Sequence, residues 1–319
     1  MSPPNPPFET RLLPYGKAAI AEAARLIRDG LPVAVPTETV YGLAADATDA
    51  AAVARIYQAK GRPDFNPLIV HVRDLDQAER LGSFSDAAHA IASAYWPGAL
   101  TLVVPRHPDS AVAQAATAGL PTIALRCPAH EVIQALLAAT GVPLAAPSAN
   151  ASGGISPTSA DHVLKTLAGR IPLVIDGGRT ALGIESTIVG FAGDEVRLLR
   201  PGPVDFADIA VLARLAGDSG RPGAIEAPGQ MRSHYAPAKP LRLNAVAAEP
   251  GEWLIGFGAV VGDDTLSARG DLKEAAARLF HALHRAEASR SRAIAVAPVP
   301  ADGVGAAIND RLSRAAAPR

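Results

Sequence analysis

The chain has 319 residues, 49% of them apolar, and a formal net charge of −1. That is enough apolar material for two cores and excludes general disorder, and the charge excludes any global attraction to nucleic acid or an anionic membrane. One cysteine, Cys127, excludes an intramolecular disulfide and a cysteine metal cluster; inside the strand-like run TIALRCP it reads as a small buried apolar residue.

In chain order, helix and strand signals alternate. The N-terminal MSPPNPPFE has no basic, apolar, cleavable pattern, and no run of about eighteen apolar residues follows anywhere, so a soluble, cytoplasmic protein is expected. AAIAEAARLIRDG puts Ile20, Ala23, Ala24 and Ile27 on one helical face, with Gly30 suited to its C-terminal cap. PVAVPT follows as a strand. Asp49 caps a predicted helix whose apolar face carries Val53, Ile56 and Tyr57; it stops at Gly61, with Lys60 in its last turn and Arg62 just beyond. PLIVHV is a strand, Ser85 caps a helix that WPG ends, and ALTLVVP and TIALRCP are strands. HEVIQALLAATG is a helix, and PLAAPSAN is a strand entering a small-residue loop. Thr158 and Asp161 form a capping-box-like start to SADHVLKTLAG, and PLVIDGG, STIVGF and EVRLLRPG complete a first sheet. The alternation predicts α/β layers around a large, partly parallel sheet.

Near residue 215 the pattern breaks. AGDSGRPGAIEAPGQMRSHYAPAKP carries Gly and Pro throughout and has neither period, yet holds Arg232, His234 and Tyr235 close together. Connections this long are functional or disordered, which divides the chain into residues 1–213, a linker over 214–240, and a second unit over 241–319. In that unit EWLIGFG and AIAVAPVP are strands. GDLKEAAARLFHALHRAE is a helix capped by Asp271 with Glu274 reaching back, and a glycine turn opens a last helix in GVGAAINDRLSRAA. His281 and His284 lie three apart on one helix with no flanking carboxylate or third histidine, so packing outweighs metal binding there.

No phosphate loop, dinucleotide fingerprint, zinc-protease helix or nucleophile elbow is present. What remains is polar residues at strand ends: Thr37, Glu38 and Thr39 after the first strand, His71 after the second, Arg126 after TIAL, and Ser148 with Asn150 after PLAAP. Singly, each suits a cap, a turn or a surface pair. Together with Lys60 and Arg62 they place cations, hydroxyls and amides on the rim where α/β sheets bind ligands, a set that suits a polyanion.

PTETVYGLAADA, KGRPDFNPLIVHV, WPGALTLVV, TIALRCPAH, APSANASGGISPT, GIESTIVGF and LLRPG occur in that order. Their succession resembles the YrdC-like family, and the linker and C-terminal unit resemble its long two-domain members, the threonylcarbamoyl-AMP synthases. The likeness runs from about residue 10 to 315. It implies a YrdC-like twisted mixed sheet with flanking helices, plus a smaller C-terminal α/β, Rossmann-like domain. It also implies a nucleotidyl transfer in which L-threonine, bicarbonate and ATP give threonylcarbamoyl-AMP and pyrophosphate. A separate transferase then takes the product to tRNA, so tRNA is met only indirectly. Carried over by position, Thr39, His71, Arg126 and Ser186 match contacts to threonine. Lys60, Arg62, Asn66, Thr122, Ala146, Ser148, Asn150, Ser156 and Arg200 match contacts to ATP, with Lys60 and Arg62 on the triphosphate. His234 and Tyr235 are expected to close over the nucleotide. In the family the linker's PG commonly continues with Met, whereas here Gln230 precedes Met231. Mg²⁺ is expected with ATP, and since no carboxylate cage stands out, it rides on the phosphates.

Two other readings stay open at this stage. One is an RNA-binding module of the same fold, against which the near-zero charge and the density of small hydroxyls count. The other is a carbamoyl-transfer enzyme, whose zinc-binding cysteines a chain with one cysteine does not supply.

Overall fold

The computed structural model describes residues 8–216, 226–231 and 233–318; Arg232 and part of the expected linker lie outside them. The larger unit runs β1 (Arg11–Pro14), α1 (Lys17–Arg28), β2 (Val33–Pro36), β3 (Tyr41–Asp46), α2 (Ala50–Lys60), β4 (Ile69–His71), α3 (Leu75–Glu79), α4 (Asp86–Tyr95) and β5 (Leu100–Pro105). It continues through α5 (Gln114–Thr117), β6 (Thr122–Arg126), α6 (Glu131–Thr140), β7 (Leu144–Ala145), α7 (Ala160–Leu167), β8 (Leu173–Asp176), β9 (Thr187–Ala192), β10 (Glu195–Arg200), α8 (Phe206–Ile209) and β11 (Arg214–Leu215). The smaller unit holds β12 (Leu241–Arg242), β13 (Glu252–Gly256), β14 (Asp264–Thr265), α9 (Leu272–Ala288), β15 (Ala293–Val296) and α10 (Val304–Ala316).

Three predicted N-caps form. Asp49 accepts from Ala51 N, Ser85 from Ala88 N, and Asp271 from Lys273 N and Glu274 N. Two local expectations fail. The α7 N-cap position is Ser159, without a side-chain cap; Thr158 instead faces His162, its Oγ1 lying 3.3 Å from Nδ1. Glu274 does not reach back to Asp271 directly, because Ser267 sits between them, donating to Glu274 at 2.7 Å and accepting from Asp271 N at 3.0 Å.

Eleven strands form one mixed sheet in the order β1-β8-β2-β3-β7-β4-β6-β5-β9-β10-β11. The strand β3, absent from the sequence reading, is the largely buried run YGLAAD, which pairs antiparallel with β2. One face packs on α1 and α6 through Ile27, Val33, Leu136 and Ile175. The other packs on α2, α4 and α7 through Val53, Ile56, Ile91 and Val163. The second sheet, β12-β15-β13-β14, is parallel at each of its pairings.

The two units share a core. Val40, Ile155 and Ile184 of the first pack with Leu279, Phe280 and Leu283 of α9. His284 extends the contact, its Nε2 donating to Ser156 O at 3.1 Å and its ring stacking on His162 at 3.8 Å. His281 lies farther from the same ring, its centre 5.5 Å from that of His162. Gly183 marks one close approach: at φ +70, a Cβ there would lie 2.5 Å from Ala277 Cα and O. Gly183→Ala is therefore expected to destabilise by about 2–4 kcal/mol through overpacking and left-handed strain. A thermal melt checks this; an unchanged midpoint would mean the units meet less tightly.

Candidate active site

The chain's polar strand ends converge because of register. β4 and β6 run parallel, and His71 and Arg126 are direct partners at their C-terminal ends. Beside them lie the β2–β3 turn with Thr37 and Thr39, the segment Ala146–Ser148 after β7, Ser186 before β9 and Arg200 at the end of β10. These line one cavity together with Arg62 and Glu185, and residues 228–229, His234 and Tyr235 also line it.

Arg126 is buried and used on three sides. Its Nε donates to Gly98 O at 3.1 Å, Nη1 donates to Thr39 Oγ1 at 2.9 Å, and Nη2 lies 2.6 Å from Glu38 Oε1. Thr37 donates to Val40 O, so it is Thr39 that donates to Thr37 across their 2.8 Å contact. Burial opposes charge on Glu38, but Arg126 outweighs it and holds the carboxyl below its ordinary range. His71 is neutral: burial, with Arg126 beside it, pushes its imidazole down to about 3. Its Nδ1 is a buried polar atom with no hydrogen-bond partner, on a side chain that lines the cavity.

Across the cavity, Arg200 donates through Nε and Nη2 to Ser186 O at 3.1 and 2.9 Å, and through Nη1 to Pro228 O at 3.3 Å. It thus joins the sheet to the linker. Ser186 Oγ meets Thr101 Oγ1 at 2.8 Å and accepts from Arg200 Nη2 at 3.1 Å. Arg62 follows the left-handed Gly61 that ends α2 and donates to Asn66 O and Pro67 O. Burial lowers its guanidinium to about 10, which leaves it charged at neutral pH.

The linker closes this side. Tyr235 is 1% exposed and stands at φ +62, a left-handed conformation uncommon for a bulky residue. His234 packs edge-on against its ring at 4.0 Å. Gly229 permits this, since a Cβ there would lie 2.7 Å from Tyr235 Oη. Under this cover the cavity measures about 50 Å³, room for a few waters and not for a nucleotide.

Other residues singled out by sequence lie next to the cavity or beyond it. Lys60 is buried and donates from Nζ to Ser148 O and Asn150 O, each at 2.5 Å, so its ammonium holds the small-residue loop. Burial, with Arg62 nearby, pushes it well below its ordinary value. Asn150 donates to Ala151 O and Gly154 O within that loop. Asn66 directs Nδ2 at Met231 Sδ, 3.3 Å away, which gives the departure at Gln230 and Met231 a local role. Ser156 donates to Glu185 at 2.5 Å. Thr122 opens β6, at the end opposite Arg126. Sequence reasoning did not single out Glu185 or pair Glu38 with Arg126. The available signal was a lone carboxylate before an apolar strand in GIESTIVGF.

Two family models match the chain, one described as telomere recombination over residues 25–202 and one as the threonylcarbamoyl-AMP synthase C-terminal domain over 204–317. A threonylcarbamoyl-AMP synthase of Bacillus subtilis is 41% identical over 94% of this chain and 93% of its own. The chain belongs to the threonylcarbamoyl-AMP synthase family. Solved structures of the P. abyssi member, Sua5, extend the likeness to the whole two-unit architecture. Sua5 complexed with L-threonine superposes at a TM-score of 0.86 with 35% identity, covering 96% of this chain and 97% of that one. An H234A/Y235A form of Sua5 also matches at 0.86 and 35% identity, covering 96% of each chain. The mixed sheet and the smaller C-terminal α/β unit both lie within the span matched to Sua5.

Several buried histidines are expected to make the fold acid-sensitive. His71, His162 and His284 are lowered, mainly by burial, to about 3, about 2 and about 4, from an ordinary value of 6.5. The unfolded chain binds protons at these rings below pH 6.5 while the folded chain does not, so stability is present at neutral pH and is lost on acidification. The expected slope is about 1.4 kcal/mol per pH unit for each such histidine. Urea unfolding at pH 7, 6 and 5 checks this; equal stability at pH 7 and 5 would contradict the neutral, buried assignment.

Proposed function

We propose that the chain synthesises threonylcarbamoyl-AMP from L-threonine, bicarbonate and ATP, releasing pyrophosphate. The observation that carries the reading is the pairing of His71 and Arg126 across β4 and β6, facing Arg62 and Arg200 over one buried cavity. One side suits an amino acid and the other a triphosphate. The Arg126 fork takes the threonine carboxylate, Thr39 fixes that fork, and the unpartnered Nδ1 of His71 meets a second polar group of the amino acid. Arg62 and Arg200 take phosphate oxygens, and Ser186 orients Arg200. Lys60, Asn150 and Ser156 hold the walls of the nucleotide side, Ala146 and Ser148 line it, and Asn66, beside Arg62, borders it; Thr122, at the far end of β6, is not among the lining residues.

The chemistry needs no protein nucleophile. The threonine amine adds to the bicarbonate carbon with loss of water and gives a carbamate; a carbamate oxygen then attacks the α-phosphorus and pyrophosphate leaves. Positioning and charge stabilisation carry such a reaction. Carbamate and mixed anhydride both hydrolyse, so water must be excluded, and His234 and Tyr235 supply that cover. The cover must shift to admit ATP, given the 50 Å³ beneath it. Mg²⁺ would come with ATP, held by phosphate oxygens, because Glu185 at the cavity and Glu38 behind Arg126 are each engaged by an arginine. The product passes to a separate transferase acting on tRNA in the cytoplasm. Pyrophosphate release by purified protein, with threonine and bicarbonate omitted in turn, tests the reading. Release that depends on both supports it, and release indifferent to threonine overturns it.

A further inference from the structure

We infer that Arg311, on the last helix of the small unit, is a positioning residue for the nucleotide side of the site. The inference rests on the synthase reading and assigns the second unit a part in it. Arg311 is 0% exposed and is the largest fully buried side chain among the described residues. Its Nε donates to Glu185 Oε2 at 2.8 Å, Nη1 donates to Asp310 at 2.7 Å, and its guanidinium lies 5.3 Å from the centre of the Tyr235 ring. Glu185 lines the cavity and takes the Ser156 hydroxyl on its other oxygen.

Glu185 is a carboxylate at the edge of a cavity that has to accept a triphosphate. Left unpaired in a low-dielectric setting, it repels that ligand. Arg311 cancels its charge from behind and supports the Tyr235 ring with a cation–π contact. The same helix fastens the linker. Arg314 Nη1 donates to Met231 O at 2.7 Å, and His234 N donates to Arg314 O at 3.2 Å. Asp310 braces both arginines, meeting Arg314 Nε at 2.9 Å. One turn of α10 thus sets the charge of a cavity residue and the position of the cover.

Arg311→Met is expected to raise the KM for ATP, and the dissociation constant of a non-hydrolysable ATP analogue measured by calorimetry, by about tenfold or more. The KM for threonine should stay within about threefold, since Arg126 and Thr39 are held without Arg311. Arg311→Met with Glu185→Gln removes both charges and should recover most of the loss in analogue affinity. A merely structural role predicts equal rises in both KM values and no recovery in the double variant, and that result would overturn the inference. Should Arg311→Met fail to fold, Glu185→Gln alone decides: unchanged or tighter analogue binding supports the inference, and tenfold weaker binding overturns it. Wild type runs alongside; if it makes no threonine-dependent product yet the affinities shift as stated, the synthase reading fails and the charge relation stands.

Discussion

Arg126→Ala is expected to cost both turnover and stability. The substitution removes the fork proposed to hold the threonine carboxylate, and it strands Glu38, a buried carboxylate whose only close cation among the described residues is Arg126 at 2.6 Å. Breaking a buried pair from one side costs about 3–5 kcal/mol. Loss of the carboxylate contact should lower kcat/KM for threonine by roughly a hundredfold or more. The two effects separate in the double variant Arg126→Met, Glu38→Gln, which removes both charges. Its melting temperature should return most of the way to wild type while turnover stays lost. A double variant that regains turnover would mean that Arg126 serves only to neutralise Glu38.

The second large effect concerns the cover. His234→Ala with Tyr235→Ala removes two buried rings, one of them in a left-handed conformation that the packing of Phe280 at 5.7 Å and Arg311 at 5.3 Å enforces. The pair should leave the larger unit folded, since its cores lie in the two faces of the sheet and not in the linker. That an H234A/Y235A form of Sua5 has a solved structure agrees with this expectation for a similar protein. Threonylcarbamoyl-AMP formation should fall about a hundredfold, because misplaced reactants and admitted water both act against the reaction. Circular dichroism and a product assay on the same sample check this. Wild-type turnover in a folded variant would contradict a covering role.

The helices were legible because their signals are local. The 3.6-residue period in α1 and α9, and the caps Asp49, Ser85 and Asp271, stand within a few residues of what they control. Strand β3 was not legible, because YGLAAD shows no alternation that sets it off from the turn before it. β7 is two residues long, too short for any period. At the site, the polar strand ends announced a rim, but the register that sets His71 against Arg126 joins residues 55 positions apart and appears only in the folded sheet. Lys60 shows the limit most clearly. A lysine between a helix and a glycine reads as a free cation, whereas here its ammonium is spent on the carbonyls of Ser148 and Asn150. Arg311 is the extreme case, since its partner Glu185 is 126 residues away on the other unit.

The most direct measurement is the mass of the nucleotide product formed from ATP, L-threonine and carbon-13 bicarbonate. A threonylcarbamoyl-adenylate heavier by one mass unit than that made from ordinary bicarbonate is the predicted result, since a single carbon passes from bicarbonate into the carbamate. A nucleotide product lacking threonine, or one whose mass ignores the label, would contradict a site that joins all three substrates.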